Sequence, residues 1–158
     1  MEKEPTSFYT IRFGDCDPFG HLNNSRYLDY CLNAREDHLR DHYGIDLKAW
    51  AAQGIGFVVN RHEIRYIRPV GYNDRVCIQS SLIGWGDTWL QVEMLVWDEP
   101  KEQLKAVLWT VFTRIDTKTG AKTTHPGELV DWIAQVVLDE GSRDLDERMA
   151  KLKSTRPR

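Results

Sequence analysis

The stretch Phe13-Gly14-Asp15-Cys16-Asp17-Pro18-Phe19-Gly20-His21-Leu22-Asn23-Asn24-Ser25-Arg26-Tyr27 lies between a short alternating apolar run and a helical pattern. Pro18 and Gly20 keep its backbone out of regular structure. Its last part, Asn23-Asn24-Ser25, consists of residue types that open helices. The stretch is therefore predicted to run from a strand through a tight loop into the N-terminus of a helix.

Two carboxylates, Asp15 and Asp17, lie in this loop. A helix N-terminus offers unpaired N–H groups and a partial positive charge, and a nearby carboxylate offers a base or a nucleophile. An enzyme that attacks a carbonyl carbon needs both, so the pattern favours a catalytic role for Asp17. The alternative is that Asp17 caps a turn, because Asp before Pro is common in loops. Asp15 is predicted to be a hydrogen-bonding partner, since successive side chains of an extended segment diverge.

The composition bounds the class of protein. A chain of 158 residues with 41% hydrophobic residues suits one domain with its own core. A formal net charge of −3 argues against a general nucleic-acid or membrane-surface binder. No apolar run is long enough to span a bilayer, and the N-terminus does not resemble a signal peptide. Three cysteines are too few for a disulfide framework, so a cytoplasmic protein is expected.

Residues 25–43 show helical periodicity, and Gly44 suits a C-terminal cap. This helix would be near 28 Å long at about 1.5 Å per residue. The side chains predicted to share its apolar face are Leu28, Cys31, Leu32, Leu39 and Tyr43. It is the one long periodic helix before the C-terminal region, so it is predicted to be central.

The period switches to two in the middle of the chain. A first strand is predicted at residues 8–13, and four longer strands are predicted at 56–69, 75–85, 88–98 and 102–116. Val58, Asn60, His62, Ile64 and Tyr66 are predicted to share one face of the second strand. The fold class is therefore α+β, with an antiparallel sheet of five or six strands wrapped around one long central helix.

The later strands are apolar on both faces, and one helix covers only one of them. A second apolar face is most often covered by another subunit, so an oligomer is predicted. The alternative is a strong twist of the sheet together with coverage by a C-terminal helix at residues 126–138. The domain is placed at residues 1–138. Residues 139–158, of which eleven are charged, are predicted to be a tail outside the core, partly helical around 145–152 or disordered.

The loop, the long helix and the meander together resemble the hotdog-fold thioesterases, and the most similar branch is the 4-hydroxybenzoyl-CoA thioesterase-like acyl-CoA thioesterases. Tyr66-x-x-Pro69 followed by Asp74 resembles a further feature of that family. The resemblance covers about residues 8–138. The variant Gly20-His21-x-Asn23-Asn24 is also similar to the acyl-carrier-protein thioesterases.

The resemblance implies that Asp17 is the catalytic carboxylate and that the backbone N–H of Asn24 polarises the thioester carbonyl. It implies that Tyr27 lines the acyl site. It further implies an acyl-CoA substrate, no metal or other cofactor, and a homodimer with joined sheets or a tetramer of dimers. The sequence departs from the benzoyl-type branch at Asn23 and Asn24, where larger side chains are common.

Several polar residues have two interpretations each. His21 either orients Asp17 or a water molecule, or fixes the loop through backbone hydrogen bonds. Asn23 either contacts the substrate or water, or caps the helix, and the cap is favoured. Asn60 and His62 are predicted to be satisfied core groups, with the acyl pocket as the alternative.

Coenzyme A carries several phosphates, so an acidic protein needs a local basic patch. Arg61, Arg65 and Arg68, together with Arg75, cluster along one strand and its turn and are candidates for that patch. The alternative is a solvated strand face.

Two further candidates are set aside. Cys16 is flanked by carboxylates that raise its thiol pKa, which argues against a nucleophile. His38 and His42 have the i, i+4 spacing of zinc ligands without an obvious third ligand, so surface histidines are predicted.

The leading hypothesis is an acyl-CoA thioesterase, and there are three alternative functions. The first uses acyl-carrier-protein substrates with the same chemistry, and the second is a non-catalytic acyl-CoA-binding module. The third is a hotdog hydratase, a family whose motif resembles Asp-x-x-x-x-His. It is disfavoured because His21 follows Asp17 too closely to match that spacing.

Overall fold

The computed structural model describes residues 1–154, which form one antiparallel sheet with helices on both faces. The strands are β1 (Thr6–Thr10), β2 (Ile55–Tyr66), β3 (Arg75–Gly86), β4 (Trp89–Asp98) and β5 (Leu104–Asp116). The α-helices are α1 (Tyr27–Tyr43), α2 (Leu47–Ala52), α3 (Gly127–Val136) and α4 (Leu145–Ser154). Five strands in the order β1-β3-β4-β5-β2 surround α1, which confirms the predicted fold class.

Helix α1 begins and ends close to the predicted residues. A 3₁₀ turn, Asn24–Arg26, leads directly into it, and the side chain of Asn23 accepts a hydrogen bond from the Ser25 N–H at 3.0 Å. The helix ends at Gly44, whose φ of 65° is a conformation that suits glycine. The loop therefore delivers the chain into the helix through an asparagine cap, as its sequence predicts.

The buried face of α1 differs from the predicted apolar stripe. It includes the polar residues Arg35 and His38, which are 6% and 1% exposed. Arg35 donates to the Ser80 hydroxyl of β3 at 2.9 Å, and His38 Nδ1 lies 2.7 Å from the same oxygen. The other ring nitrogen, Nε2, lies 2.8 Å from the Ser7 hydroxyl. The predicted surface position of His38 is therefore wrong, because β1 and β3 supply serine partners for both ring nitrogens.

The buried His38 predicts a dependence of stability on pH. Burial and the neighbouring charges of Arg35 and His42 lower the pKa of His38 from 6.5 to about 4. Between these two pH values the unfolded chain binds a proton that the folded chain does not bind. The free energy of unfolding is therefore expected to fall as pH drops from about 6.5 to 4, by on the order of 3 kcal/mol in total.

Urea denaturation at pH 7.0 and 4.5 measures this effect. His38→Gln should lose about 2 kcal/mol or more of the pH dependence. His42→Gln, at an exposed position, removes only a smaller contribution to the His38 pKa than burial makes, so it should keep most of the dependence. An unchanged pH dependence in His38→Gln would contradict the assignment.

A bulge in β2 changes which of its side chains face the core. The pairing with β5 shifts between Val59 and Arg61, so Asn60 is an extra residue in the strand. Phe57 and Val59 consequently share the inner face with His62, and Val58 turns outward. The predicted common face of Val58 and Asn60 with His62 is therefore wrong, since strict alternation does not survive the bulge.

The first strand is shorter than predicted. β1 ends at Thr10, and Phe13–Asp15 forms a 3₁₀ turn instead of the end of the strand. Backbone hydrogen bonds from Ile11 to Asp74 and from Asn73 to Ile11 still hold this segment beside the start of β3. Phe13 is 77% exposed and packs edge-on against Tyr72.

Helix α4 covers part of the outer sheet face. Leu145 and Leu152 are 1% and 8% exposed. They pack in a second apolar cluster with residues of β4 and β5: Leu95, Leu104, Val107 and Trp109. The prediction that the tail lies outside the core is wrong for Leu145–Ser154; residues 155–158 lie outside the described residues.

The same cluster bears on the predicted oligomer. The apolar residues of α3, Leu129, Ile133 and Val136, belong to the inner core and not to the outer face. The alternative, in which the helix near 126–138 covers the outer face, is therefore wrong. Because α4 of the same chain covers part of this face, the apolar outer side chains are a weaker argument for a second subunit.

Candidate active site

The loop before α1 is a tight antiparallel turn. Cys16 and Leu22 pair through their backbones as an isolated antiparallel β-bridge. Inside this pair the Asp17 N–H donates to the His21 carbonyl at 2.7 Å, and the Gly20 N–H donates to the Asp17 carbonyl at 3.0 Å. Gly20 has a φ of 77°, which a side chain would strain. Leu22 is 4% exposed and anchors the loop in the core. The sequence folds this way because Pro18 and Gly20 reverse the chain and Leu22 fixes its return.

Asp17 is half-buried, and its two carboxylate oxygens differ. Oδ1 accepts hydrogen bonds from the Phe19 and His21 N–H groups at 2.9 and 3.1 Å. Oδ2 accepts none from residues 1–154. Asp17 therefore caps the turn with one oxygen and leaves the other available. The turn-capping role and a catalytic role of Asp17 are thus compatible.

The helix start presents an unused donor. Asn23 Oδ1 accepts from both the N–H and the hydroxyl of Ser25. The N–H of Asn24, one residue earlier, has no acceptor within the part of the chain described. The Asn24 carbonyl accepts from the Tyr66 hydroxyl at 2.8 Å, which fixes this turn against β2. A free N–H at a helix N-terminus, held by β2, is suited to bind an oxyanion.

Tyr27 is the buried aromatic residue at the start of α1. It is 3% exposed and packs edge-on against Tyr66, with ring centroids 5.0 Å apart. Burial, followed by the neighbouring Tyr66, raises the pKa of Tyr27 to about 12, and the charge of Asp17 adds to the increase. The phenol is therefore protonated at neutral pH and lies within the electrostatic reach of the Asp17 carboxylate.

Asp15 has the structural role that was predicted. Its Oδ2 accepts from the Tyr30 hydroxyl at 2.6 Å, and its carbonyl accepts from the Asn23 N–H at 2.9 Å. These contacts tie the loop to the first full turn of α1. The contact of Tyr30 with Asp15 and that of the Tyr66 hydroxyl with Asn24 could not be predicted, because neither has a signature in the local sequence spacing.

The ring of His21 forms no hydrogen bond with Asp17. It is the backbone N–H of His21 that reaches the carboxylate, and the imidazole is exposed without a hydrogen bond among residues 1–154. The backbone interpretation of His21 is confirmed. A role of its ring toward water or substrate stays a prediction.

The two polar β2 residues have different positions. His62 is half-buried on the inner face, with Nδ1 2.8 Å from the Thr110 hydroxyl, and burial lowers its pKa. It is a satisfied polar group, as predicted. Asn60 is exposed at the bulge and donates to the Thr113 hydroxyl at 3.3 Å, so its predicted core position is wrong.

The three arginines are not equivalent. Arg61 lies 3.9 Å from Glu63, and Arg65 lies 2.9 Å from Asp146 of α4 and 3.8 Å from Glu63. Arg68 is exposed and forms no ion pair with any described residue. The carboxylates beside Arg61 and Arg65 partly neutralise both arginines, which leaves Arg68 as the free cation.

The cysteine beside Asp17 is not activated. Partial burial, followed by the charges of Asp15 and Asp17, raises the pKa of the Cys16 thiol. This confirms the direction expected from the sequence and argues against a thiolate nucleophile.

An apolar cavity of the fold does not touch Asp17. It has a volume of about 510 Å³ and lies between α1, α2 and α3 on one side and β2, β4 and β5 on the other. Among its lining residues are Leu32, Trp50, Phe57, Val92, Phe112 and Trp132. The candidate catalytic groups, the Asp17 carboxylate and the Asn24 N–H, lie near the N-terminus of α1. The apolar cavity lies farther along the same helix.

A family model described as the Thioesterase-like superfamily matches residues 11–133. FadM, a long-chain acyl-CoA thioesterase of Escherichia coli strain K12, is 33% identical over 128 residues, which cover 80% of this chain and 95% of FadM. The chain belongs to this superfamily, which confirms the predicted thioesterase family and the class of thioester hydrolases.

Solved structures agree with the hotdog fold. The crystal structure of YbaW, a probable thioesterase from Escherichia coli, has a TM-score of 0.72 at 30% identity and covers 84% of this chain and 98% of YbaW. The DHNA-CoA thioesterase from Staphylococcus aureus has a TM-score of 0.75 and covers 98% of this chain and 97% of its own. At 15% identity the second match shows the fold alone. Within residues 1–154, no helix has the length and apolar character that crossing a membrane requires.

Proposed function

We propose that this protein hydrolyses acyl-CoA thioesters to the free acid and coenzyme A. The observation that carries the proposal is the free Asn24 N–H at the start of α1, in the same loop–helix unit as the available oxygen of Asp17. The family membership and the printed activity of FadM support the substrate class.

In the proposed reaction a thioester carbonyl oxygen lies against the Asn24 N–H. Asp17 takes a proton from a water molecule whose oxygen attacks the carbonyl carbon, and the electron pair of the carbonyl bond moves to its oxygen. When the carbonyl re-forms, the C–S bond breaks and the thiolate leaves with its electron pair to take up a proton. A preorganised donor of this kind contributes on the order of 3 kcal/mol to transition-state stabilisation.

Asp17 acting as a nucleophile is the alternative route, through an acyl-enzyme anhydride that water then hydrolyses. Both routes use the same oxygen of Asp17 and the same donor. Neither uses a metal or redox cofactor, and the coenzyme A moiety belongs to the substrate.

Arg68 is proposed to contact a phosphate of coenzyme A. It follows Tyr66 by two residues, and the Tyr66 hydroxyl bonds the turn that holds the donor. Its guanidinium lacks the carboxylate neighbours of Arg61 and Arg65. Arg61 and Arg65 are therefore the weaker candidates of the predicted patch.

A homodimer that forms through the free edge of β2 is proposed. The argument is the unpaired edge of this strand, and not the apolar outer face of the sheet. β2 pairs with β5 on one side and has no partner strand on the other within residues 1–154. Val58 and Val59 on this long edge are 46% and 43% exposed, and such an edge pairs readily with a second chain. Light scattering of the purified protein measures this state. A tetramer of dimers and a cytoplasmic location stay predictions.

The activity is tested with a panel of acyl-CoA thioesters of different acyl groups. We expect release of free thiol from at least part of the panel, followed with a chromogenic thiol reagent. Acyl-carrier-protein thioesters with the same acyl groups form the matched control, and faster turnover of those would favour the carrier-protein rival. Binding of acyl-CoA without any thiol release would contradict the proposed enzyme and favour the non-catalytic module.

A further inference from the structure

The turn that carries the proposed oxyanion donor is held from two sides. On the loop side, the Asn23 N–H donates to the Asp15 carbonyl at 2.9 Å, and the Asn23 side chain accepts from Ser25. On the sheet side, the Tyr66 hydroxyl donates to the Asn24 carbonyl at 2.8 Å. Residue 24 therefore has its carbonyl bound to β2, while its N–H has no acceptor among residues 1–154.

Tyr66 is itself fixed in place. It is the last residue of β2 and pairs with Ala106 of β5. The next backbone N–H, that of Ile67, donates to the Lys105 carbonyl at 2.9 Å. The Tyr66 ring packs edge-on against the buried ring of Tyr27, with centroids 5.0 Å apart. Strand pairing and ring packing therefore hold the hydroxyl at a defined position beside the start of α1.

The contact matters because the turn around Asn24 is short. It is a 3₁₀ turn of three residues, and helix ends of this kind fray. Burial raises the pKa of Tyr66, so its hydroxyl is protonated at neutral pH and donates to the carbonyl throughout that range. A bond from the sheet to the carbonyl of residue 24 restricts the motion of the N–H on the same residue.

We propose that Tyr66 is a positioning residue for the reaction, because its hydroxyl holds residue 24 with the Asn24 N–H directed at the thioester carbonyl oxygen. The inference rests on the function proposed above and adds to it a residue that does not touch the reacting atoms. An oxyanion donor acts through its preset direction, and a misplacement of about 1 Å costs on the order of 10²-fold in rate. Tyr66, 42 residues from Asn24 in the sequence, thus supports the chemistry of the loop.

Tyr66→Phe tests this role, since it removes the hydroxyl and keeps a ring against Tyr27. We expect kcat to fall about 10–100-fold for the best acyl-CoA of the panel, with KM within about twofold. The thermal midpoint should fall by no more than about 4 °C, the size expected for one hydrogen bond in a domain of this length. Replacement of Tyr66 by 4-aminophenylalanine restores a donor at the same place and should recover most of the lost kcat.

A second measurement follows the donor itself and does not depend on turnover. The ¹⁵N order parameter of the Asn24 amide should be about 0.85 in the wild-type protein, as in a rigid backbone, and should fall toward about 0.6 in Tyr66→Phe. Tyr43→Phe is the matched control, because it removes a phenol that donates to a backbone carbonyl, that of Glu2 at 2.7 Å, at the other end of α1. It should leave kcat within about twofold and the Asn24 order parameter unchanged.

The outcomes separate this inference from the proposed function. A wild-type protein that releases no thiol from any acyl-CoA would overturn the proposed function, and the positioning role of Tyr66 with it. If the wild-type protein is active, an unchanged kcat in Tyr66→Phe would overturn the positioning role alone. A raised KM at unchanged kcat would do the same, because Tyr66 would then bind the substrate and not hold the donor. A fall in kcat together with a more mobile Asn24 amide supports the role.

Discussion

Asp17→Asn is expected to lower kcat by about 10²–10⁴-fold, the usual contribution of a general base. The amide oxygen of asparagine still accepts from the Phe19 and His21 N–H groups that Asp17 Oδ1 now holds. The loop should therefore keep its shape, and the thermal midpoint should change little. Free thiol release from the best acyl-CoA of the panel measures the loss.

Asp15→Asn is the control for this prediction. It changes charge by the same amount two residues away, and its amide oxygen still accepts from the Tyr30 hydroxyl that Asp15 now holds. We expect a loss of less than about tenfold, since Asp15 supports the loop and is not proposed to take a proton. Unchanged activity in Asp17→Asn would refute the chemical role of Asp17. An equal large loss in both variants would show that the loop, and not one carboxylate, is needed.

Arg148→Met is expected to give the largest loss of stability, about 3–5 kcal/mol in the free energy of unfolding. Glu93 is 1% exposed, and its carboxylate accepts two hydrogen bonds from the Arg148 guanidinium, each at 2.8 Å. A third comes from Trp109 Nε1 at 2.9 Å. Removal of the guanidinium leaves a buried carboxylate with one neutral donor. Urea denaturation measures the change.

Two further variants separate the buried pair from a general effect of charge. Arg143→Met removes an ion pair with Glu147 at a side chain that is 90% exposed, so a loss below about 0.5 kcal/mol is expected. In the double variant Glu93→Gln and Arg148→Met the glutamine still accepts from Trp109, and part of the lost stability should return. Equal losses in Arg143→Met and Arg148→Met would contradict the assigned role of the buried pair.

The parts of the fold that depend on local sequence were predictable. Pro18, Gly20 and Asn23 define the loop and the helix start within a few residues, and Gly44 marks the end of α1. The four long strands follow from alternation and from turn residues. For the same reason the placement of Asp17 beside a helix N-terminus could be predicted, since loop and helix are adjacent in the chain.

The parts that depend on distant partners were not predictable. The buried positions of Arg35 and His38 could not be predicted, because their common partner Ser80 is 45 and 42 residues away. The bulge at Asn60 shifts the β2 side chains through its pairing with β5. The docking of α4 depends on the contact between Glu93, a charged residue in a strand, and Arg148, which is 55 residues away in the sequence. No local pattern contains these pairs.

The proposed oxyanion donor is a main-chain group, and this affects how the protein tolerates substitution. The N–H of residue 24 is present whatever its side chain, and the Asn24 side chain makes no hydrogen bond with residues 1–154. Asn23, by contrast, caps the turn through its own carboxamide. Natural selection can therefore vary position 24 widely and still preserve the orientation of that peptide group. A comparison of related sequences that scores only side-chain identity would therefore miss the importance of this backbone position.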